Sequence, residues 1–392
     1  MNRLFTLNVD FSHRIFGLDV VRSIAVLLVV LGHSDRMLGQ HWDYHPILKA
    51  IFHTVFIFYL DGVDVFFVLS GLLIGSILIK SISQSNIFTI NDLTYFWKRR
   101  WYRTVPNYYL ILCLNVVVWY FIQKQNGPFS ITELLNAQLP LYFLFLQNFN
   151  QACPPFFVES WSLAIEEWFY LLLPIVIFLL SQLSSLNKKQ VILIALAVFL
   201  MGSTGLRMYK MLTVESSLSP FDAGNLYRTA VITRLDALMF GVLGAYIKHY
   251  HLSFWRNVRW IGFAIGVLMV YVLRWTSPAE HDLLSRSQLL TEGLHPTLLG
   301  IAILLMMPFA DSFKQGENSF FIKIVTWISL ISYSLYLVNL LIIKVIQYFV
   351  KPLYEATASI ELLEYVAFWV IALAISTLLY KYVEKPLMDL RK

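Results

Sequence analysis

Charge is what this sequence has least of. Asp, Glu, Lys and Arg make up 14% of its 392 residues, against about 25% in a soluble globular domain. Cysteine is scarce too. Cys113 lies in an apolar run and Cys153 in a loop, which makes neither a disulfide framework nor a metal-ligand set, so no metal is expected. A Gly-rich phosphate loop, a Ser nucleophile elbow and a zinc ligand pattern are all missing. No internal repeat or low-complexity segment occurs. No cleavable signal peptide is evident: the chain is polar up to Arg14, and the first apolar run continues past signal-peptide length. The formal net charge of +6 comes from cations in loop segments rather than from one polar face, so nucleic acid is not an expected partner.

What the sequence does have is apolar length. Hydrophobic residues make up 58% and aromatics 16%, a composition suited to many membrane–water interfaces. A spanning helix needs about 20 mostly apolar residues. Stretches of that kind cover roughly 16–37, 54–79, 104–122, 160–182, 190–211, 229–248, 259–275, 289–309, 325–349 and 363–383. A further stretch, 134–149, is short and interrupted by Pro140, and reads as an interfacial or re-entrant element. With the N-terminus inside, 18 of the 30 Lys and Arg fall in inner segments and nine in outer loops, the outer group including Arg207. The positive-inside rule then places both termini in the cytoplasm. The expected fold is an all-α polytopic membrane protein of about ten transmembrane helices, forming a single domain over residues 1–392.

Ionisable groups inside such helices are costly and mark function by default. They are Asp19, Arg22 and His33; Asp61 and Asp64; Glu166 and Glu167; Arg234 and Asp236; and Lys344. Arg234 and Asp236 read equally well as a functional pair or as charges that lock two helices together. In GLDVVRSIAVLLVVLGHSD, Arg22 and His33 are eleven residues apart. Eleven steps return to within about 20° of the start and advance about 16 Å. Asp19 falls on the same stripe, one turn before Arg22. In KRRWYRTVP, Arg100 and Arg103 are one turn apart and can face a common anion, or can anchor the chain on anionic lipid. Pro106 suits a first helical turn, and a helix N-terminus there would add N–H groups for a phosphate. In SWSLAIEEWFYLLLP, the adjacent Glu166 and Glu167 point about 100° apart, so one of them faces the site.

These segments resemble the acyltransferase 3 family of membrane O-acyltransferases. LDVVRSIAVLLVVLGH resembles the family signature of an Arg followed after ten residues by a His, here Arg22 and His33. GVDVFFVLSGLLI at 62–74 resembles the next motif, and RRWYR matches the Arg-x-x-Arg element as Arg100 and Arg103. SWSLAIEEWFYLLLP resembles a motif whose Glu corresponds to Glu166. TRLDALMFGVLGAY at 233–246, ISYSLYLVNLLI at 331–342 and YVEKPL at 382–387 continue the match in order. The chain departs from the pattern at Asn339, where family members often carry a His. That departure removes a proton-transfer group from this position.

The resemblance implies transfer of an acyl group, usually acetyl, from cytoplasmic acyl-CoA (acetyl-CoA as co-substrate) to a hydroxyl. The implied acceptor is an envelope carbohydrate or lipid-linked glycan, and the implied location is a bacterial cytoplasmic (inner) membrane. Without a fused SGNH-type domain, transfer is expected to finish in the membrane domain or pass to a separate periplasmic partner. Arg22, Arg100 and Arg103 would hold CoA phosphates, since arginine binds two phosphate oxygens at once, and Asp19 would orient Arg22. His33 would serve as general base or transient acyl carrier. Glu166 would orient or polarise His33, or contact the acceptor. The rival reading is a proton-coupled transporter using the same Asp, Glu, His and Arg set, although a proton path has no need of a cytoplasmic Arg-x-x-Arg.

Overall fold

Apolar runs of membrane length leave the backbone one economical way to satisfy its N–H and C=O groups, the α-helix. The computed structural model describes residues 14–34, 37, 62–84, 88–126, 138–213, 227–275, 286–313, 320–350 and 357–390. Asp61 and part of the 134–149 segment lie outside them. The helices are α1 (Phe16–Ser34), α2 (Gly62–Gln84), α3 (Ile90–Asn126), α4 (Leu139–Phe143), α5 (Ser160–Ser181), α6 (Lys188–Thr213), α7 (Asp236–Tyr250), α8 (Leu252–Asn257), α9 (Arg259–Trp275), α10 (Arg286–Asp311), α11 (Phe320–Val345), α12 (Ala358–Leu379) and α13 (Lys385–Asp389). No strand occurs among the described residues. The chain is an all-α polytopic membrane protein.

Each of the ten apolar stretches overlaps a helix among the described residues. Among the described residues, eight helices are long and apolar enough to cross a membrane. The other two, α7 with 15 residues and α9 with 17, fall short of the roughly 20 residues a full crossing takes. A second difference concerns the start of α3. The helix begins at Ile90, not near Pro106. Thr89 and Asp92 cap it reciprocally: Asp92 N–H donates to Thr89 Oγ1 at 3.3 Å, and Thr89 N–H donates to Asp92 Oδ2 at 2.9 Å. Arg100 and Arg103 are therefore well inside a helix, and their backbone N–H groups are not a helix N-terminus for phosphate.

The chain divides into two compact units. The first comprises Met1–Val63, Arg99–Leu139 and Gln315–Lys392. In it α1 packs along α11, and α11 along α12. Val26 and Val30 are buried on the α1 face that carries Ser23, whose Oγ donates to Val325 O at 2.8 Å across the seam. Polar groups with no water to bond must find one another. Asn107 Nδ2 accordingly donates to Ser334 Oγ, which donates to Glu384 Oε2, both at 3.0 Å. Lys344 Nζ donates to Asn115 Oδ1 at 3.0 Å, which makes this intramembrane lysine a link between helices.

The second unit comprises Asp64–Lys98 and Pro140–Lys314. Here α2 and α7 meet backbone to backbone. A Cβ on Gly71 would lie 1.8 Å from Leu238 O, and one on Gly241 would lie 2.0 Å from Val68 O. Only glycine permits this approach, the usual device for packing membrane helices closely. On the short helix α4, burial pushes the Tyr142 phenol well above its ordinary range, and its neutral O–H donates to Pro154 O at 3.3 Å.

Candidate active site

In the first unit the stripe on α1 carries charge where the sequence placed it. Asp19 is buried, yet its principal partners are not Arg22. Arg14 donates to both carboxylate oxygens, with Nε at 2.8 Å from Oδ2, and Ser329 Oγ on α11 donates to Oδ1 at 2.7 Å. Arg22 Nη1 stands 4.0 Å from Oδ1. Asp19 thus orients Arg22 only weakly and is mainly committed to Arg14. Sequence reasoning did not single out Arg14. Its position five residues before a buried carboxylate is the signal that could have revealed it.

Arg22 has Arg103 and Arg100 within charge–charge range. On α3, Lys98, Arg99 and Trp101 are exposed, whereas Arg100 and Arg103 are half-buried. Their helical spacing turns them inward, so this pair belongs to the interior of the unit and not to a lipid-facing anchor. Arg22, Arg100 and Arg103 therefore gather on the inner side of the unit, an arrangement whose chemistry suits an anion.

His33 lies further along α1 and is half-buried. Its Nδ1 is 2.7 Å from Asn339 Oδ1 on α11. The Asn339 amide has a fixed orientation, because Nδ2 donates to Tyr336 O at 2.6 Å and Leu335 O at 3.2 Å. Its oxygen must therefore accept from His33, which puts the proton on Nδ1 and makes Nε2 the basic nitrogen. The departure from the family pattern at Asn339 thus falls on the residue that holds the histidine.

Glu166 is in the second unit. Ser70 Oγ on α2 donates to Oε1, and Tyr170 O–H donates to Oε2, both at 3.0 Å. Glu167 points elsewhere on α5 and is buried. The two further pairs separate in role. Asp236 meets Arg207 at 2.8 Å, and Arg234 meets Asp64. Arg207, grouped with the outer-loop cations on sequence grounds, is instead fully buried within α6. A carboxylate at Asp236 and the threonine hydroxyls around it compensate a charge that a lipid-facing position could not hold.

The family model for an acyltransferase domain matches residues 15–381. The chain belongs to the acyltransferase 3 family. This acyltransferase 3 chain is similar to the O-acetyltransferase OatA of Staphylococcus aureus strain NCTC 8325 / PS 47, with 32% identity over 242 residues, covering 59% of this chain and 34% of that protein. OatA of strain COL matches with the same figures. The chain spans about a third of the length of the curated relatives it matches. No solved structure matches. Family membership favours a transferase over a transporter.

Proposed function

We propose that this protein is a membrane O-acetyltransferase that moves an acetyl group from cytoplasmic acetyl-CoA to a hydroxyl of an envelope carbohydrate, in a bacterial cytoplasmic membrane. The observation that carries the reading is the half-buried set of Arg22, Arg100 and Arg103 in the same unit as a tautomer-fixed His33. The guanidiniums hold the CoA phosphates through charge-assisted bonds. Asn339 keeps the His33 proton on Nδ1. Nε2 takes the proton of the acceptor hydroxyl as its oxygen attacks the thioester carbonyl. A C–O bond forms, the C–S bond breaks, and the proton passes from Nε2 to the departing CoA thiolate. His33 could equally carry the acetyl group on Nε2 between donor and acceptor. Glu166, held by Ser70 and Tyr170 in the second unit, receives the acceptor.

Purified protein in lipid nanodiscs supplied with radiolabelled acetyl-CoA tests the donor. Label should pass to carbohydrate. Acetyl-CoA that neither binds nor turns over would overturn the proposal. Both termini are proposed to be cytoplasmic. A reporter active only in the periplasm, fused at Lys392, should stay dark, and strong signal from it would refute that orientation.

A further inference from the structure

One cluster in the second unit is not used by this mechanism. Arg234 is fully buried. Nη2 bonds Asp64 Oδ1, and the guanidinium carbon lies 5.8 Å from the centre of the Phe67 ring. Nε and Nη1 have no hydrogen-bond partner. In the same unit Gln147 Oε1 and Asn148 Oδ1 are also buried without a hydrogen-bond partner, both on residues fully out of solvent. Neither amide can be turned over to cure it. Asn148 Nδ2 donates to Thr229 O at 2.6 Å and Trp161 O at 3.0 Å. Gln147 Nε2 donates to Ser160 Oγ at 3.0 Å. Each amide nitrogen is committed to oxygen atoms, so each amide oxygen is turned away from them.

The three groups are joined through their neighbours. Val231 N–H donates to Asn148 O at 2.9 Å and Ile232 N–H to Phe149 O at 3.2 Å, which ties the loop to the turn leading into Arg234. Trp161, whose carbonyl holds Asn148, packs its ring edge on Phe67 at 5.8 Å, the same ring that Arg234 contacts. A buried amide oxygen or guanidinium N–H without a hydrogen bond is costly, so this grouping suits a ligand that both donates and accepts.

We infer that Arg234, Gln147 and Asn148 form a carbohydrate subsite within the second unit that binds adjacent sugar hydroxyls; this rests on the acetyltransferase reading above. A sugar hydroxyl accepts from the guanidinium and donates to an amide oxygen, so neighbouring hydroxyls satisfy all three residues. A phosphate or carboxylate would satisfy Arg234 and leave both amide oxygens without donors. Because these atoms are closed to solvent, a sugar enters when the loop around Gln147 opens. That loop carries Phe145 in the left-handed region at φ 56°, a strained conformation for a bulky residue, and Trp168 Nε1–H holds its carbonyl at 2.9 Å.

The test uses full-length protein in nanodiscs with acetyl-CoA, and maltotriose and an N-acetylglucosamine trisaccharide as acceptor probes. Arg234→Lys keeps the charge beside Asp64 and removes the Nε and Nη1 donors. Gln147→Met keeps the volume and removes the acceptor. Each should raise the sugar KM at least about tenfold, while the KM for acetyl-CoA stays within about twofold. An unchanged sugar KM in folded variants means that buried water completes these groups, and overturns the subsite alone. Failure of wild-type protein to transfer to either sugar overturns the carbohydrate reading, and the subsite with it. If neither variant folds, a diazirine-bearing trisaccharide on wild-type protein decides: labelling of residues 140–168 or 227–236 is expected, and labelling confined elsewhere refutes the site.

Discussion

Two buried arginines in the second unit differ in how completely they are bonded. Arg207 donates to Gly293 O from Nε at 2.6 Å, to Thr233 O and Asp236 Oδ1 from Nη1, and to Asp236 Oδ2 and Thr297 Oγ1 from Nη2. Thr204 and Thr297 also donate to Asp236. All three guanidinium nitrogens are engaged, and the pair joins α6, α7 and α10. Arg234 has one ion pair and one aromatic face, with two nitrogens unbonded. A saturated buried charge is a structural joint. An unsaturated one in the same unit keeps bonding capacity in reserve, and such capacity is retained where a ligand completes it.

Lysine substitution should break this comparison first. Arg207→Lys cannot span the carbonyls, the threonine and the carboxylate together. With each lost bond worth about 1 kcal/mol, the variant should lose about 3 kcal/mol. Arg234→Lys should lose about 1 kcal/mol or less. Unfolding midpoints in a common detergent measure both, and equal losses would erase the distinction between joint and reserve.

The next effect belongs to chemistry. His33→Gln keeps a polar group against Asn339 but cannot take a proton near neutral pH. Acetyl transfer should fall about a hundredfold or more with acetyl-CoA binding and stability retained, unlike Arg207→Lys, where everything falls together. Near-normal transfer would move the catalytic role to Glu166.

Removing Arg100 and Arg103 together should act on binding. Each charge-assisted contact is worth about 1.5–3 kcal/mol, so the acetyl-CoA KM should rise more than tenfold while kcat changes little. A collapse of kcat at constant KM would end the phosphate assignment. The smallest effect is at Arg14. Releasing Asp19 through Arg14→Ala lets that carboxylate draw Arg22 away from the phosphates. A partly exposed pair is worth about 0.2–1 kcal/mol, so the acetyl-CoA KM should rise about 1.4- to fivefold. An unchanged KM would show that Asp19 does not govern Arg22.

Much of this was readable in one dimension. Membrane helices declare themselves through uninterrupted apolar length, and the eleven-residue step from Arg22 to His33 fixes their shared face because helical geometry is local. The start of α3 was missed, because hydropathy follows the apolar run while a polar stretch of helix extends before it from the Thr89–Asp92 cap. Arg207 was misplaced for a different reason: a basic residue near a span's end looks like an outer anchor until a carboxylate on another helix is known to meet it.

By itself, the sequence determined that this chain is an all-helical membrane protein of the acyltransferase 3 family, and which face of α1 is polar, since apolar length and the 3.6-residue period depend only on residue order. Tertiary structure alone decided partners. Asp19 goes to Arg14 and Ser329, His33 to Asn339, Asp236 to Arg207, and Arg234 to Asp64. The physical reason is that a buried charge is neutralised by whatever the packing of distant segments brings within about 3 Å, and nothing local to the residue records which segment that will be.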